Sequence, residues 1–401
     1  MTIDLKSKLA GDKLFFISYG LFLITSILST SFFYKYFMGI PYMWMQIIGT
    51  ALLVAYECLN GLKKQHWKGL IVCLIMELIS WRVSPSCTQR QVVLMFWYIY
   101  CARNISFAKI ARFSLNVSIA VVLLVVLSSG FGLVENITAF KSGRVREYLG
   151  FRYALYLPGL LLNMTALWVY LKKNAVTVWG CLIWAVVNWV VYYFTDSRIS
   201  FFIAEALLVA ALFMRYCPKV TDKLKPLWWL AVGSFVICAV ASLILTVKYD
   251  SAIPWMRKLN SMLESRLRLG HASMLENGFY YFGQRITWLG NGLDGFGNSA
   301  VGTYTYVDCL YVKILQRYGT IFLALMMVFC TWSMIRLYKR REYHIMLISA
   351  TVAVHCVLDD LSFALHYNTF WLAMGMVMMN AATLNWNGKT TQIEKKTEEN
   401  A

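Results

Sequence analysis

Apolar runs joined by short basic turns repeat along almost the whole chain, and this pattern leaves few architectures open. A helix needs about 20 mostly apolar residues to cross the hydrocarbon of a bilayer. On that criterion about twelve spans are expected, near 14–34, 41–60, 68–82, 90–102, 113–134, 151–171, 176–194, 199–216, 227–247, 318–337, 343–359 and 367–386. The third and fourth are short enough to form one re-entrant pair. The composition agrees: 59% of residues are hydrophobic and 14% charged, and the mean hydropathy is +0.57. A globular domain has roughly 45–50% apolar and about 25% charged residues. The predicted fold is therefore an all-α integral membrane protein, with residues 1–401 as a single transmembrane domain.

The net charge of +18 at pH 7 would suit a nucleic-acid partner if the basic residues were clustered on one surface. Instead most of them sit in the turns. Twenty-two of the 38 Lys and Arg residues fall on one side of the predicted membrane, and every turn on that side is basic. By the positive-inside tendency, both termini are expected in the cytoplasm. The first apolar run follows Lys6, Lys8 and Lys13 without a small-residue cleavage site, so it reads as an uncleaved span. The polar tail, 387–401, is expected to be disordered. The ten cysteines lie mostly within apolar runs and show no ligand spacing, which makes them small buried hydrophobes.

The pattern is interrupted once, at 248–317. This long stretch is expected to be an extracytoplasmic, partly helical loop before the last three spans. Basic residues concentrate on the same outer side at 141–152, KSGRVREYLGFR, and at the turn TDSR, which ends in Arg198. A local excess of guanidinium groups against the positive-inside tendency points to an anionic substrate, because the planar Arg fork binds phosphate oxygens bidentately. The alternative for Arg198 is a snorkelling side chain paired with Asp196.

Within the loop, 254–268 (PWMRKLNSMLESRLR) reads as one amphipathic helix beginning at Pro254, with Glu264 and Arg268 spaced for an i,i+4 pair. It either lies at the interface with solvated charges or presents Arg266 and Arg268 to a lipid head group. The Gly-rich GNGLDGFG at 290–297 lacks a following Lys-Ser/Thr and matches no nucleotide fingerprint. Asp308 stands at the entry of the next helix, where it either caps that helix or acts as a general base. The turn LDDLSFALHYN supplies Asp359, Asp360 and His366 as other bases. His355, inside an apolar run, reads as a hydrogen-bonded bundle residue. No paired metal carboxylates or zinc motif appear, so no metal is expected.

Four local patterns in this order carry a resemblance: SGRVREYLGF at 142–151, TDSRISFF at 195–202, ESRLRLGHASMLENGFYYFGQ at 264–284 and VDCLYVKILQRYG at 307–319. Together with the late long loop, they make the chain similar to the Wzy-type polysaccharide polymerases of the O-antigen polymerase and ligase superfamily. Many relatives have Asn after the aspartate where this chain has Cys309, and related ligases place a His near that position. The resemblance implies a glycosyltransferase of the bacterial cytoplasmic membrane that polymerises undecaprenyl-pyrophosphate-linked oligosaccharide repeat units, without metal or cofactor, on the outer face. It implies that Arg198, Arg266, Arg268, Arg144 and Arg146 bind the pyrophosphate, with Asp308 ahead of His366 as base. A flippase and a chain-length regulator are the partners that go with such an enzyme. A glycan ligase and a transporter of the same lipids are the competing readings. Transporters of this kind usually show two matched halves, and no repeat is visible here.

Overall fold

The computed structural model describes residues 2–61, 66–84, 87–141, 143–219 and 224–379. The predicted disordered tail, 387–401, lies outside the described residues. The helices are α1 (Thr2–Ser29), α2 (Ile40–Tyr56), α3 (Trp67–Val83), α4 (Cys87–Cys101), α5 (Phe107–Gly130), α6 (Tyr156–Lys172), α7 (Val178–Thr195) and α8 (Arg198–Tyr216). They continue as α9 (Lys225–Val247), α10 (Pro254–Met262), α11 (Arg266–Asn277), α12 (Leu310–Arg317), α13 (Thr320–Lys339), α14 (Tyr343–Leu358) and α15 (Phe370–Met378). One antiparallel hairpin, β1 (Thr138–Lys141) and β2 (Arg144–Glu147), pairs Ala139 with Arg146.

Each of the twelve apolar stretches overlaps a helix, the last only over Phe370–Met378, and residues 380–386 lie outside the described residues. Seven helices of the described residues are both long and apolar enough to cross a membrane: α1, α2, α5, α7, α8, α9 and α13. The others fall short. α3 and α6 have 17 residues each, about 26 Å of helix against a hydrocarbon core of about 30 Å. α14 has 16 residues, and α15 has 9 up to Met378.

Side-chain orientation explains the composition. On α7 only Cys181, Asn188 and Thr195 are buried, at a spacing of seven residues, while Trp179, Ile183, Val186 and Tyr193 face outward. The polar groups of this helix point in and its apolar groups point out. In water such a surface would be an aggregation liability, and against lipid it is the expected arrangement. Inside, the Asn188 amide donates to Glu205 on α8 at 3.3 Å, and the Thr165 hydroxyl on α6 donates to the Asn188 oxygen at 3.4 Å. These bonds tie three helices together where apolar contact alone gives little preference.

α6 and α15 form the interior. Every residue of α15 from Phe370 to Val377 is buried, and Asn163 of α6 clamps the segment before it. The Asn163 amide donates to the Thr369 hydroxyl at 3.1 Å, and its oxygen accepts from the Thr369 N–H at 3.1 Å. His355 behaves as expected of a bundle residue, with Nδ1 2.7 Å from the Ser362 hydroxyl.

The long interruption between α9 and α13 is an ordered, partly helical cap. Gly283 and Gly319 cross at backbone contact: a Cβ on Gly283 would lie 2.2 Å from the Arg317 carbonyl oxygen, and one on Gly319 would lie 2.4 Å from the Gly283 nitrogen. Both have positive φ, 72° and 96°, so glycine is required on two counts. The crossing is held by Gln284 N–H to Arg317 O at 3.0 Å and Thr320 N–H to Tyr280 O at 3.1 Å. Nearby, buried Gln316 of α12 exchanges bonds with Ser273 of α11, and the Trp288 indole N–H donates to the Ser273 hydroxyl at 3.0 Å.

The expected single helix over 254–268 is two helices. Glu264 and Ser265 adopt left-handed backbone, with φ of 50° and 68°, and break it between α10 and α11. The Glu264–Arg268 pair therefore does not form. Asn260 stabilises the break by accepting the Arg268 N–H at 3.0 Å.

Candidate functional site: an arginine-lined cleft

The break at Glu264–Ser265 sets the site, because it turns the first residue of α11, Arg266, inward. Its side chain is only 8% exposed. A buried guanidinium needs an anionic partner, and Asp308 supplies it, with Oδ2 3.7 Å from Arg266 Nε. Asp308 does not cap α12. The cap position is Cys309, which makes no side-chain capping bond. Asp308 accepts instead from the Tyr304 hydroxyl at 3.3 Å.

The opposite wall comes from two turns. Asp196, left-handed at φ 46°, is the C-cap of α7, and the next residue, Ser197, is the N-cap of α8. This reversal puts Asp196 between two arginines. Its Oδ1 lies 3.4 Å from Arg198 Nε, and its Oδ2 lies 3.9 Å from Nε of Arg146 on β2. Arg146 also reaches Glu264 at 3.9 Å, which joins the two walls.

Arg146, Arg198, Arg266, Asp308, Asp359 and Tyr304 thus line one cleft, brought together from five separate segments. The Nε atoms of Arg146 and Arg266 are both buried and make no hydrogen bond. Each lies within ion-pair range of a carboxylate and beyond hydrogen-bonding distance. The first turn of α8 also lines the cleft, and its N-cap residue Ser197 makes no side-chain capping bond. Helix N-termini carry partial positive charge and unpaired N–H groups. The wall sets three guanidinium groups and a helix N-terminus among four carboxylates, Asp196, Glu264, Asp308 and Asp359.

The carboxylates are tuned in the other direction. Burial pushes Asp308 up to about 6, against the pull of Arg266 and with a further push from Asp360. Burial, then Asp360, raises Asp359 to about 7. Tyr304 is also raised, mainly by burial and then by Asp308. Asp359 keeps its place through Oδ1, which accepts the Leu361 N–H at 2.8 Å. Among the described residues no three His, Cys, Asp or Glu side chains are grouped to hold a metal ion.

Two residues expected at the site, Arg268 and His366, do not line the cleft, and the side chain of a third, Arg144, lies outside the described residues. Arg268 is exposed and does not line the cleft, because the backbone break puts α11 in a different register from the single helix expected. His366 is buried behind the wall with its ring 4.3 Å from that of Tyr367, and neither ring nitrogen has a hydrogen-bond partner. Burial pulls its pKa down to about 3, so it stays neutral, and it does not line the cleft.

Lys313 belongs to the site's support and was not singled out from the sequence. It is 8% exposed, forms an ion pair with Asp360, and donates to the Tyr306 hydroxyl at 2.6 Å. A lysine inside the apolar run LYVKILQ was the available signal. Set against family models, characterised proteins and solved structures, the chain matches none of them.

Proposed function

We propose that this cleft transfers a glycan from a polyprenyl pyrophosphate to a sugar hydroxyl, and that the protein polymerises lipid-linked oligosaccharide repeat units outside the membrane. The observation that carries the reading is the pair of buried Arg146 and Arg266 Nε donors, without hydrogen bonds and lining one cleft with a carboxylate whose pKa burial raises. The order of motifs, similar to that of Wzy-type polymerases, supports it.

In the reaction, the acceptor hydroxyl oxygen forms a bond to the anomeric carbon while the bond from that carbon to the pyrophosphate oxygen breaks. The electron pair leaves with the pyrophosphate, and the hydroxyl proton passes to Asp308. A base with a pKa near 6 is ionised at neutral pH yet strong enough to take the proton. The leaving oxygen gains negative charge, which Arg266, Arg146 and Arg198 stabilise from fixed positions. Arg198 is the most exposed of the three, with 53% of its side chain accessible, and it serves as the outer contact for the terminal phosphate.

In this reading both termini lie in the cytoplasm, all twelve apolar helices contribute to the membrane domain, and the 248–317 cap faces outward. Purified protein given synthetic undecaprenyl-pyrophosphate repeat units should produce a ladder spaced by one repeat. Transfer of a single preformed glycan without a ladder would make it a ligase. Movement of the same lipids across a proteoliposome without new bonds would make it a transporter. A tag within 270–300 should be reachable from outside intact cells, and access only after permeabilisation would overturn the orientation.

A further inference from the structure

The cleft has a second lobe that the phosphate chemistry leaves unused. It has a volume of about 310 Å³, at the lower end of the range of roughly 300–1,000 Å³ for small-molecule sites. It shares Tyr153, Asn291, Tyr304, Asp308 and Asp359 with the arginine lobe. Beyond that boundary its walls include Tyr156, Trp288, Tyr306, Asp360 and the glycines at 290 and 292, with three aliphatic residues, Leu289, Ala300 and Leu361, between them.

The first lobe sets three arginines among four carboxylates, whereas the only charged groups lining this one are carboxylates. No lysine or arginine lines it. Lys313 stands behind the wall, with Nζ committed to Asp360 and the Tyr306 hydroxyl and 4.2 Å from the centre of the Tyr306 ring. An anion entering here would meet three carboxylates and no facing cation. A purely apolar solute would strip water from Asp360 and Asn291 without replacing its hydrogen bonds. What fits is an uncharged molecule with many hydroxyl groups, able to bond the carboxylates and the amide while resting on aromatic rings.

Gly290 and Gly292 keep the space open. A Cβ on Gly290 would lie 3.2 Å from the Tyr306 ring, and one on Gly292 would lie 3.3 Å from the Tyr156 hydroxyl. Neither glycine has a positive φ, so their role here is to leave out side chains.

We propose that this lobe is a binding site for an uncharged pyranoside, the sugar whose hydroxyl is presented to Asp308 at the junction of the two lobes. Calling that sugar the acceptor rests on the glycosyl-transfer reading above, whereas the chemical class of ligand rests on the lobe itself. Asp308 and Asp359 then stand between a sugar side and a phosphate side, and a hydroxyl from one side reaches the anomeric carbon held on the other.

The test uses the full chain in lipid nanodiscs with two kinds of probe. One is inorganic pyrophosphate, followed by calorimetry. The other is the methyl glycosides of glucose, galactose and N-acetylglucosamine, followed by saturation-transfer NMR. At least one glycoside should bind, and Gly292→Leu should weaken it at least about tenfold while changing pyrophosphate binding less than about twofold. Arg266→Gln should do the reverse. If Gly292→Leu fails to fold, Gly290→Ala makes the smaller intrusion and should weaken the glycoside about threefold. Binding of none of the three glycosides, or binding that neither glycine variant changes, overturns the proposal. Failure of the transferase reading shows separately, as the absence of a ladder from lipid-linked repeats while the glycoside still binds.

Discussion

Arg266 Nε and Asp308 Oδ2 lie 3.7 Å apart across the floor of the cleft, close enough for charge attraction and too far for a hydrogen bond. Arg266 is the largest influence holding Asp308 down against burial. Arg266→Gln should therefore move the acid limb of the pH–rate profile upward from about 6 and lower the maximum rate by about 10²–10³-fold. Rates of ladder formation between about pH 5 and pH 9 check both effects. A reduced rate with an unmoved limb would remove Asp308 as the titrating base.

Asp359 offers a test in stability. Its folded pKa, raised to about 7, exceeds the ordinary 3.8, so the folded protein holds a proton that the unfolded chain releases. That contribution is fully present below the unfolded pKa and is lost as the pH rises through about 7. Asp359→Asn should match the parent's thermal stability at about pH 4 and exceed it at about pH 8. Equal melting curves at both values would contradict the burial assigned to this carboxylate.

Arg198→Lys keeps the charge and loses the planar fork. Activity should fall about 10–100-fold with membrane insertion unchanged. Near-normal activity would take Arg198 out of the proposed pyrophosphate site and leave it as the partner of Asp196.

Lys313 and Asp360 are a buried ion pair, and removing one partner leaves an uncompensated charge. Lys313→Met should destabilise by about 3–5 kcal/mol, and adding Asp360→Leu should recover much of that loss. Melting temperatures of the two single variants and the double variant form the cycle. Additive losses would show that the pair is not coupled.

Gly319→Ala should prevent the cap from seating, because its Cβ would collide with backbone at 2.4 Å and its φ of 96° is strained for any other residue. The expected cost exceeds about 4 kcal/mol. Gly130→Ala meets nothing within 4 Å and should be neutral. Monodispersity on size exclusion distinguishes the two.

The apolar runs revealed where the helices lie, since burying or lipid-facing apolar groups leaves a long compositional trace. Arg198, Arg266 and Asp308 were also legible, as charges placed against the trend of their surroundings. Arg268 misled because one helical period was read across 254–268. The break depends on two left-handed residues, Glu264 and Ser265, and neither is a glycine that would have announced it. His366 misled for a different reason: a histidine in a polar turn gives no sign that the turn folds under the bundle. The two lobes could not be read at all. They depend on the tertiary packing that brings Trp288, Tyr304 and Tyr306 beside Asp308 and Asp359.

The crossing at Gly283 and Gly319 also decides what holds each wall of the cleft. Arg266 and Asp308 belong to segments tied together by the Ser273–Gln316 bonds and by backbone contact at the two glycines. Arg146 and Arg198 stand on the hairpin and the α7–α8 turn, linked to Glu264 by one ion pair of 3.9 Å and to each other through Asp196. One wall is therefore fixed by backbone, and the charge contact across the cleft to the other falls at Arg146 and Glu264.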